Sequence, residues 1–363
     1  MISTHMRRAL ELAEGVLGST SPNPSVGCVI VQGERIAGEG ATQPPGGPHA
    51  EAVALRHAGE AARGATAYVT LEPCSHTGRT PPCADALISA GVAAVHVAML
   101  DPDPQVSGRG VEKLRAAGIE VNVGDGEDEA RRLLEAYIKH RTTGLPFVIV
   151  KFAATLDGKI AASSGDSRWV AGEAARTWAH GFRTKIDAII CGVNNVLLDD
   201  PQLTARPGGT MAERQPLRIV ADSRGRTPLD AKVLGAGGKT IIATTDASPA
   251  AWRAAIEERG AEALVLPADA DGRVDLRALS VDLGKRGVLS LLVEGGGVLH
   301  ASFFAAGLVD KVHAIIAPKI VGGTRYPAVA GEGAARMSDA VTLRDIEIER
   351  MGDDAVIVGY VGR

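Results

Sequence analysis

The chain has 363 residues, 45% of them hydrophobic and only 3% aromatic, with 39 Lys and Arg against 43 Asp and Glu for a net charge of −4. That length is enough for two domains with sizeable cores, while the balanced charge and scarce aromatic side chains argue against a basic, base-stacking nucleic-acid surface. No apolar run reaches the roughly 18 residues of a membrane span, and four cysteines without a secretory-type leader predict free thiols in a cytoplasmic protein.

In chain order, apolar periodicity predicts a helix over Met6 to Leu17, strands over Val26 to Val31 and Ile36 to Gly40, and a helix from His49. A strand over Ala67 to Leu71, a helix from Cys83, a strand over Val92 to Met99, a helix over Gly110 to Ala117, a strand over Ile119 to Val123 and a helix over Asp128 to Arg141 complete this series. Alternation of this kind predicts a three-layer α/β/α domain. The turn TTGLP at Thr142 to Pro146 interrupts it, so the boundary is placed near residue 145, giving domains over 1–145 and 146–363. The second domain repeats an α/β pattern, with strands over Phe147 to Ala153, Ala188 to Gly192, Leu217 to Ala221, Thr240 to Thr244, Ala263 to Leu266, Leu289 to Val293 and Lys311 to Pro318. Arg344 to Met351 and Ala355 to Val361, joined by GDD, read as a hairpin.

The stretch from His49 to Cys83 carries one imidazole, one carboxylate and two thiols spaced as a catalytic zinc site. Three ligands, His49, Cys74 and Cys83, leave the fourth tetrahedral position open to water, which separates catalytic from closed structural sites. Glu51 lies two residues from His49, a separation that lets both reach one centre only from a helix end. GGP breaks regular structure before His49 and AEAVALRHA is helical, so both residues fall at that end, where the partial positive charge favours an anionic Glu51. Nucleobase deaminases of the zinc type combine HxE with PCxxC, the Glu acting as general acid and base. Here HAE and EPC match, but eight residues, Ser75 to Pro82, separate the two cysteines. Cys28 and Cys191 sit in apolar, strand-like runs and read as core residues. In the second domain no GxGxxG opens a βαβ unit. Instead, a strand ending at Glu294 runs into three glycines and an apolar helix, a turn whose backbone amides can approach a pyrophosphate.

PNPSVGCV at 22–29, PHAE at 48–51 and EPCSHTGRTPPC at 72–83 resemble the deaminase half of the bifunctional deaminase/reductase family of riboflavin biosynthesis. KFAATLDGKIA, GDSRWV, the segment EAARTWAHGFRTKIDAIICGVNNVLLDDPQLTAR, VEGGG and APKIVGG resemble its reductase half, so the likeness covers nearly the whole chain. It implies a cytidine-deaminase-like N-terminal domain and a C-terminal domain with a dihydrofolate-reductase-like fold. By that resemblance Asn23, His76 and Arg79 meet the pyrimidine substrate of the first half. NADPH lies along Ala153, Trp169, Asn195, Asp199, Ser223 and Gly296, Gly297, Val298, Leu299, His300, Ala301 and Ser302, and the second substrate meets Ser167, Arg183, Leu203, Arg206 and Glu294. A guanidinium fork at Arg183 and Arg206 suits a sugar phosphate. Lys151, set in an apolar strand, is expected to orient or polarise the carbon that accepts hydride.

The activity so implied is zinc-dependent hydrolytic deamination of 2,5-diamino-6-(5-phosphoribosylamino)pyrimidin-4(3H)-one, followed by NADPH-dependent reduction of the ribosyl group to ribityl. The family further implies a homo-oligomer, dimer or tetramer, acting on a small molecule with no nucleic-acid or membrane partner. Thr42 stands where many members have His, Arg79 where Lys is frequent and Asn195 where Thr is usual. Two rival readings are an enzyme with one of the two activities alone and a zinc-stabilised RNA-binding protein. The second requires a fourth zinc ligand and strongly salt-dependent RNA affinity.

Overall fold

A computed structural model describes residues 2–75, 81–103 and 106–362. The chain divides into two compact units, Met1–Gly144 and Leu145–Arg363.

The first unit is built on strands β1 (Gly27–Gln32), β2 (Arg35–Ala41), β3 (Thr66–Val69), β4 (Ala94–Val97) and β5 (Glu120–Val123), with helices α1 (Thr4–Gly15), α2 (Ala50–Ala58), α3 (Cys83–Ala90), α4 (Arg109–Ala116), α5 (Glu127–Leu133) and α6 (Glu135–Thr143). The sheet order is β2-β1-β3-β4-β5. Strand β1 runs antiparallel to β2 and β3, whereas β3, β4 and β5 are parallel. The apolar run of β1 explains its central place: Cys28, Val29 and Ile30 are all fully buried. Helix α2 lies on β2 because β2 carries glycine where the helix backbone passes. A Cβ on Gly40 would stand 2.3 Å from the Ala50 carbonyl oxygen and 2.5 Å from the Ala54 nitrogen. That approach fixes the start of α2, and with it His49 and Glu51.

The sequence predicted one helix over Asp128 to Arg141, and the structure breaks it at Leu134, whose φ/ψ of −97°/13° is not helical. The break turns both Leu134 and Tyr137 inward, at 2% and 5% exposure, and lets the Tyr137 hydroxyl reach the buried Asp101 carboxylate.

The second unit holds β6 (Phe147–Thr155), β7 (Ala188–Gly192), β8 (Leu217–Ala221), β9 (Thr240–Thr244), β10 (Glu262–Val265), β11 (Ser290–Val293), β12 (Lys311–Ala317), β13 (Leu343–Met351) and β14 (Asp354–Val361). Its helices are α7 (Glu173–Phe182), α8 (Val193–Asp199), α9 (Ala250–Glu258), α10 (Leu276–Lys285) and α11 (Gly297–Ala305). The order is β10-β9-β8-β7-β11-β6-β12-β14-β13. Pairing is parallel from β10 through β12, and β14 runs antiparallel to both of its neighbours, β12 and β13. Central strands read as unbroken apolar runs because both faces are covered, and Val148, Val150, Ile190, Ile219, Leu291 and Val293 form the middle of the core. Edge strand β13 differs: it is exposed along nearly its whole length, and its Arg, Asp and Glu side chains discourage pairing with another sheet. No described helix is long and apolar enough to cross a membrane.

Candidate active sites

In the first unit three side chains converge at the starts of two helices. His49 is the N-cap of α2, Cys83 opens α3, and Cys74 follows β3 in the loop between them. His49 Nδ1 lies 3.7 Å from Cys74 Sγ and 3.3 Å from Cys83 Sγ, and the three ligand atoms all fall within 4.8 Å of one another. Tetrahedral zinc, with Zn–S of about 2.3 Å and Zn–N of about 2.0 Å, sets nitrogen and sulfur about 3.5 Å apart. The donor set therefore fits the ion. The Cys83 amide donates to Cys74 Sγ at 3.3 Å, as a thiolate ligand needs. Hydrogen bonding from Cys83 pulls the Cys74 thiol well down, against burial, and His49 adds to the effect.

Glu51 sits in the first turn of α2 at 3% exposure, with its carboxyl against the Cys83 thiol. Burial pushes it up to about 7, and the charge of Cys74 pushes in the same direction. The segment carrying Cys74 is fixed by a neighbour that sequence reasoning passed over. Buried Glu72 accepts four backbone N–H groups, from Asp101, Gly108, Gly110 and Val111, at 2.8 to 3.2 Å. An acidic residue directly before PC was the available signal.

Asn23 lies half-buried in the turn before β1, closed by its own amide donating to the Thr20 carbonyl. Thr42, in the position of the family's His, is buried and its hydroxyl is engaged with the backbone of Val26. His76 and Arg79 fall outside the described residues. Cys28 and Cys191 are free and fully buried, and burial pushes the Cys191 thiol up to about 12.

In the second unit a cavity of about 1310 Å³ opens at the carboxyl ends of β6, β7, β8 and β11, the position where open parallel sheets bind ligands. Of the residues singled out from sequence, Lys151, Ala153, Ser167, Trp169, Arg183, Asn195, Asp199, Leu203, Ser223, Glu294, Gly296, Gly297, Val298, Leu299 and Ser302 line it. His300, Ala301 and Arg206 are not on its wall. His300 is fully buried, its Nδ1 2.7 Å from the Ala328 carbonyl and its Nε2 accepting from the Gly295 amide. Arg206 donates to Gln202 Oε1 at 2.6 Å.

The floor is a buried ion triad. Glu294 pairs with Lys151 Nζ at 2.9 Å and with Arg183 Nη2 at 2.5 Å, and its side chain is only 7% exposed. Burial alone would raise its pKa; the charges of Arg183 and Lys151 overcome that and hold it at about 2. Arg183 thus spends its Nε–Nη2 edge on a carboxylate of its own chain and its Nη1 on the Thr204 carbonyl at 2.8 Å, where the sequence had left the fork open to a sugar phosphate.

Helix α11 begins against this triad. A Cβ on Gly297 would stand 2.2 Å from the Pro327 carbonyl oxygen, so only glycine admits the close turn. The Gly296 amide donates to Asn195 Oδ1 at 2.7 Å, which gives Asn195 a definite task, while those of Gly297 and Val298 have no partner among the described residues. Five described non-glycine residues adopt left-handed backbone: Trp169, Asp200, Leu203, Tyr326 and Asp345. Three of them line the cavity and Asp200 lies between two wall residues, and strain of this kind persists where function fixes the geometry. Arg176 stacks on the Trp169 ring at 4.2 Å and Lys319 holds the Trp169 carbonyl. His180 and Arg176 on α7, and Arg224 and Arg226 in the turn after β8, also line this wall and were not foreseen, since neither helix polarity nor a turn's charge marks a ligand contact.

A helix-start imidazole and two thiols beside a buried carboxylate, joined in one chain to a parallel-sheet cleft, define a two-part enzyme of deaminase and reductase type. Residues 146–357 match the family described as RibD C-terminal domain, and residues 1–99 match the cytidine and deoxycytidylate deaminase zinc-binding region. The riboflavin biosynthesis protein RibD of Synechocystis is 44% identical over 99% of this chain and 96% of its own, and that of Escherichia coli 42% identical over 97% of each. The solved structure of Acinetobacter baumannii RibD, form 1, superposes with a TM-score of 0.88 at 37% identity, covering 99% of this chain and 98% of that one. A Thermotoga maritima structure described as a diaminohydroxyphosphoribosylaminopyrimidine deaminase/5-amino-6-(5-phosphoribosylamino)uracil reductase gives 0.86 at 34% identity, covering 99% and 98%. The chain belongs to the RibD family of bifunctional riboflavin-biosynthesis enzymes, with hydrolase and oxidoreductase activities. Zinc serves the first half and a nicotinamide cofactor the second.

Proposed function

We propose that the first unit deaminates 2,5-diamino-6-(5-phosphoribosylamino)pyrimidin-4(3H)-one to 5-amino-6-(5-phosphoribosylamino)uracil and that the second reduces the ribosyl group of this product to ribityl with NADPH. The observation that carries it is the convergence of His49 Nδ1, Cys74 Sγ and Cys83 Sγ within 4.8 Å beside the buried Glu51. When bound, zinc supplies Lewis acidity that activates water at neutral pH, and the reduced nicotinamide supplies hydride. Glu51 takes the proton of the attacking water and delivers protons to the ring nitrogen and the departing ammonia. Burial beside the two sulfurs keeps this exchange away from bulk solvent.

In the second unit, Lys151 presents an ammonium held by Glu294 at the cavity floor, where it orients and polarises the sugar carbon that is reduced. Ser167, Arg183, Leu203 and Glu294 form the substrate end, with Arg206 behind them. The glycine turn at Gly296 and Gly297, with Trp169, Asn195, Asp199 and Ser223, forms the cofactor end. Arg224 and Arg226, on the wall beyond Ser223, favour NADPH over NADH because a 2′-phosphate needs cationic partners. The resemblance extends this reading to a homo-oligomer, dimer or tetramer, working in the cytoplasm on a free phosphoribosyl-pyrimidine.

A coupled assay on the diamino substrate, following ammonia and NADPH together, tests the sequence of steps. Glu51→Gln is expected to keep zinc and lose ammonia release by at least about a hundredfold, the usual scale of a lost general acid–base group. Cys83→Ser is expected to lose zinc, and full metal retention there would overturn the ligand set.

A further inference from the structure

This inference rests on the substrate reading just given, in which the second unit binds a phosphomonoester. Arg183 contributes charge to that subsite, but its bidentate edge is occupied by Glu294 and its remaining nitrogen by the Thr204 carbonyl. Arg206 does not line the cavity and is held to Gln202. A dianion in the cavity beside Arg183 needs another donor that faces it.

Helix α7 provides one. Along one side of it, Ala175, Arg176, Ala179 and His180 line the cavity, and the His180 imidazole lies with Nδ1 3.4 Å from Arg183 Nη1. We propose that His180 is a further phosphate-binding group, taking a proton from solvent as the phosphomonoester of the substrate settles beside it and Arg183. The charged groups acting on the ring are Arg183 from the turn after α7, Arg206 from the segment after α8, and Glu294 from the end of β11. Burial first, and then the two guanidinium groups, lower its affinity for a proton, with Glu294 opposing. With no ligand the imidazole is therefore neutral at pH 7. A phosphate dianion reverses the sign of the local field, and a protonated imidazole then adds a charge-assisted hydrogen bond. Ligand binding and proton uptake are linked at this one ring.

The test uses the full-length enzyme and the variant His180→Gln, which keeps a neutral hydrogen-bonding group. With 5-amino-6-(5-phosphoribosylamino)uracil as substrate, wild-type KM is expected to rise as pH increases from 6 to 8.5. The variant is expected to show a KM about tenfold higher at pH 6, a flat KM profile, and little change in kcat. The dephosphorylated nucleoside should distinguish neither protein. Binding of ribose 5-phosphate, measured by calorimetry in buffers of different ionisation heat, should take up protons in the wild type and none in the variant. Identical KM profiles, or proton uptake unchanged in His180→Gln, would overturn the role of His180 while leaving the reaction intact. A wild type that does not oxidise NADPH with the phosphorylated substrate at any pH would instead overturn the substrate reading, and this inference with it. NADPH binding by fluorescence and thermal melting of the variant separate both outcomes from misfolding.

Discussion

Glu294 is the residue on which the second unit's electrostatics turn. Its carboxylate faces two cations whose side chains are only 15% and 16% exposed, so removing the negative charge leaves both nearly desolvated and uncompensated. Glu294→Gln preserves shape and deletes charge, and is expected to cost about 3–5 kcal/mol of stability. The sign of the pH effect follows from the depressed pKa. The pairing contributes fully above the ordinary carboxylate value of about 4.3 and is lost as pH falls through about 2. Urea unfolding of both proteins between pH 2 and 7 checks this: their difference should be constant above pH 5 and shrink towards pH 2. A constant difference down to pH 2 would show that Glu294 is not held ionised by its partners.

At the scale of elements, the packing of β12 on α7 contains a second titratable group. His313 is 5% exposed beneath the rings of Trp178 and Phe182, at 5.5 and 4.8 Å, and neither ring nitrogen has a hydrogen-bond partner among the described residues. Burial drives its pKa down to about 3, helped by Lys311 and Lys151. The unfolded chain therefore binds a proton near pH 6.5 that the folded chain refuses until about pH 3. Stability is lost across that window as pH falls, by about 1.4 kcal/mol per pH unit from this group. His313→Phe is expected to flatten the denaturation midpoint between pH 6 and 4 relative to the parent, and equal slopes would count against it.

The α2–β2 contact makes a different demand. Gly40→Ala places a methyl against helix backbone, which cannot yield as a flexible side chain can, so it is expected to cost about 1–3 kcal/mol and to lower zinc content by displacing His49. Gly15→Ala, with nothing within 4 Å of the added carbon, serves as the neutral control.

Elements of this kind were legible in the sequence where one rule decided them. The apolar runs AIICG and LRIVA gave strands whose observed ends, Ala188–Gly192 and Leu217–Ala221, are those expected, because a strand buried on both faces ends where its apolar run ends. The helix over Asp128 to Arg141 was read as continuous because the break at Leu134 answers to burial against Asp101, a contact distant in sequence. The same limit governs the sites. His49, Glu51, Cys74 and Cys83 fall within 35 residues and announce themselves by spacing, whereas the commitment of Arg183 to Glu294 joins positions 111 residues apart.

For the whole molecule, the two sheets share no strand, and each unit contains its own site. All three candidate metal ligands come from 49–83, and every residue lining the reductase cavity comes from 151–330. Metal removal should therefore act on one activity alone. After chelation and desalting, ammonia release from the diamino substrate is expected to fall to background, while NADPH oxidation with 5-amino-6-(5-phosphoribosylamino)uracil keeps its rate. The stability of the first unit should fall with it, because a ligand bound only to the folded state at one hundred times its Kd contributes about 2.7 kcal/mol. Calorimetry should then show one transition moving to lower temperature and returning when zinc is restored, with the other unmoved. Parallel loss of both activities, or a shift of both transitions, would mean that the metal supports the reductase unit as well, and the assignment of its work to the first unit alone would fail.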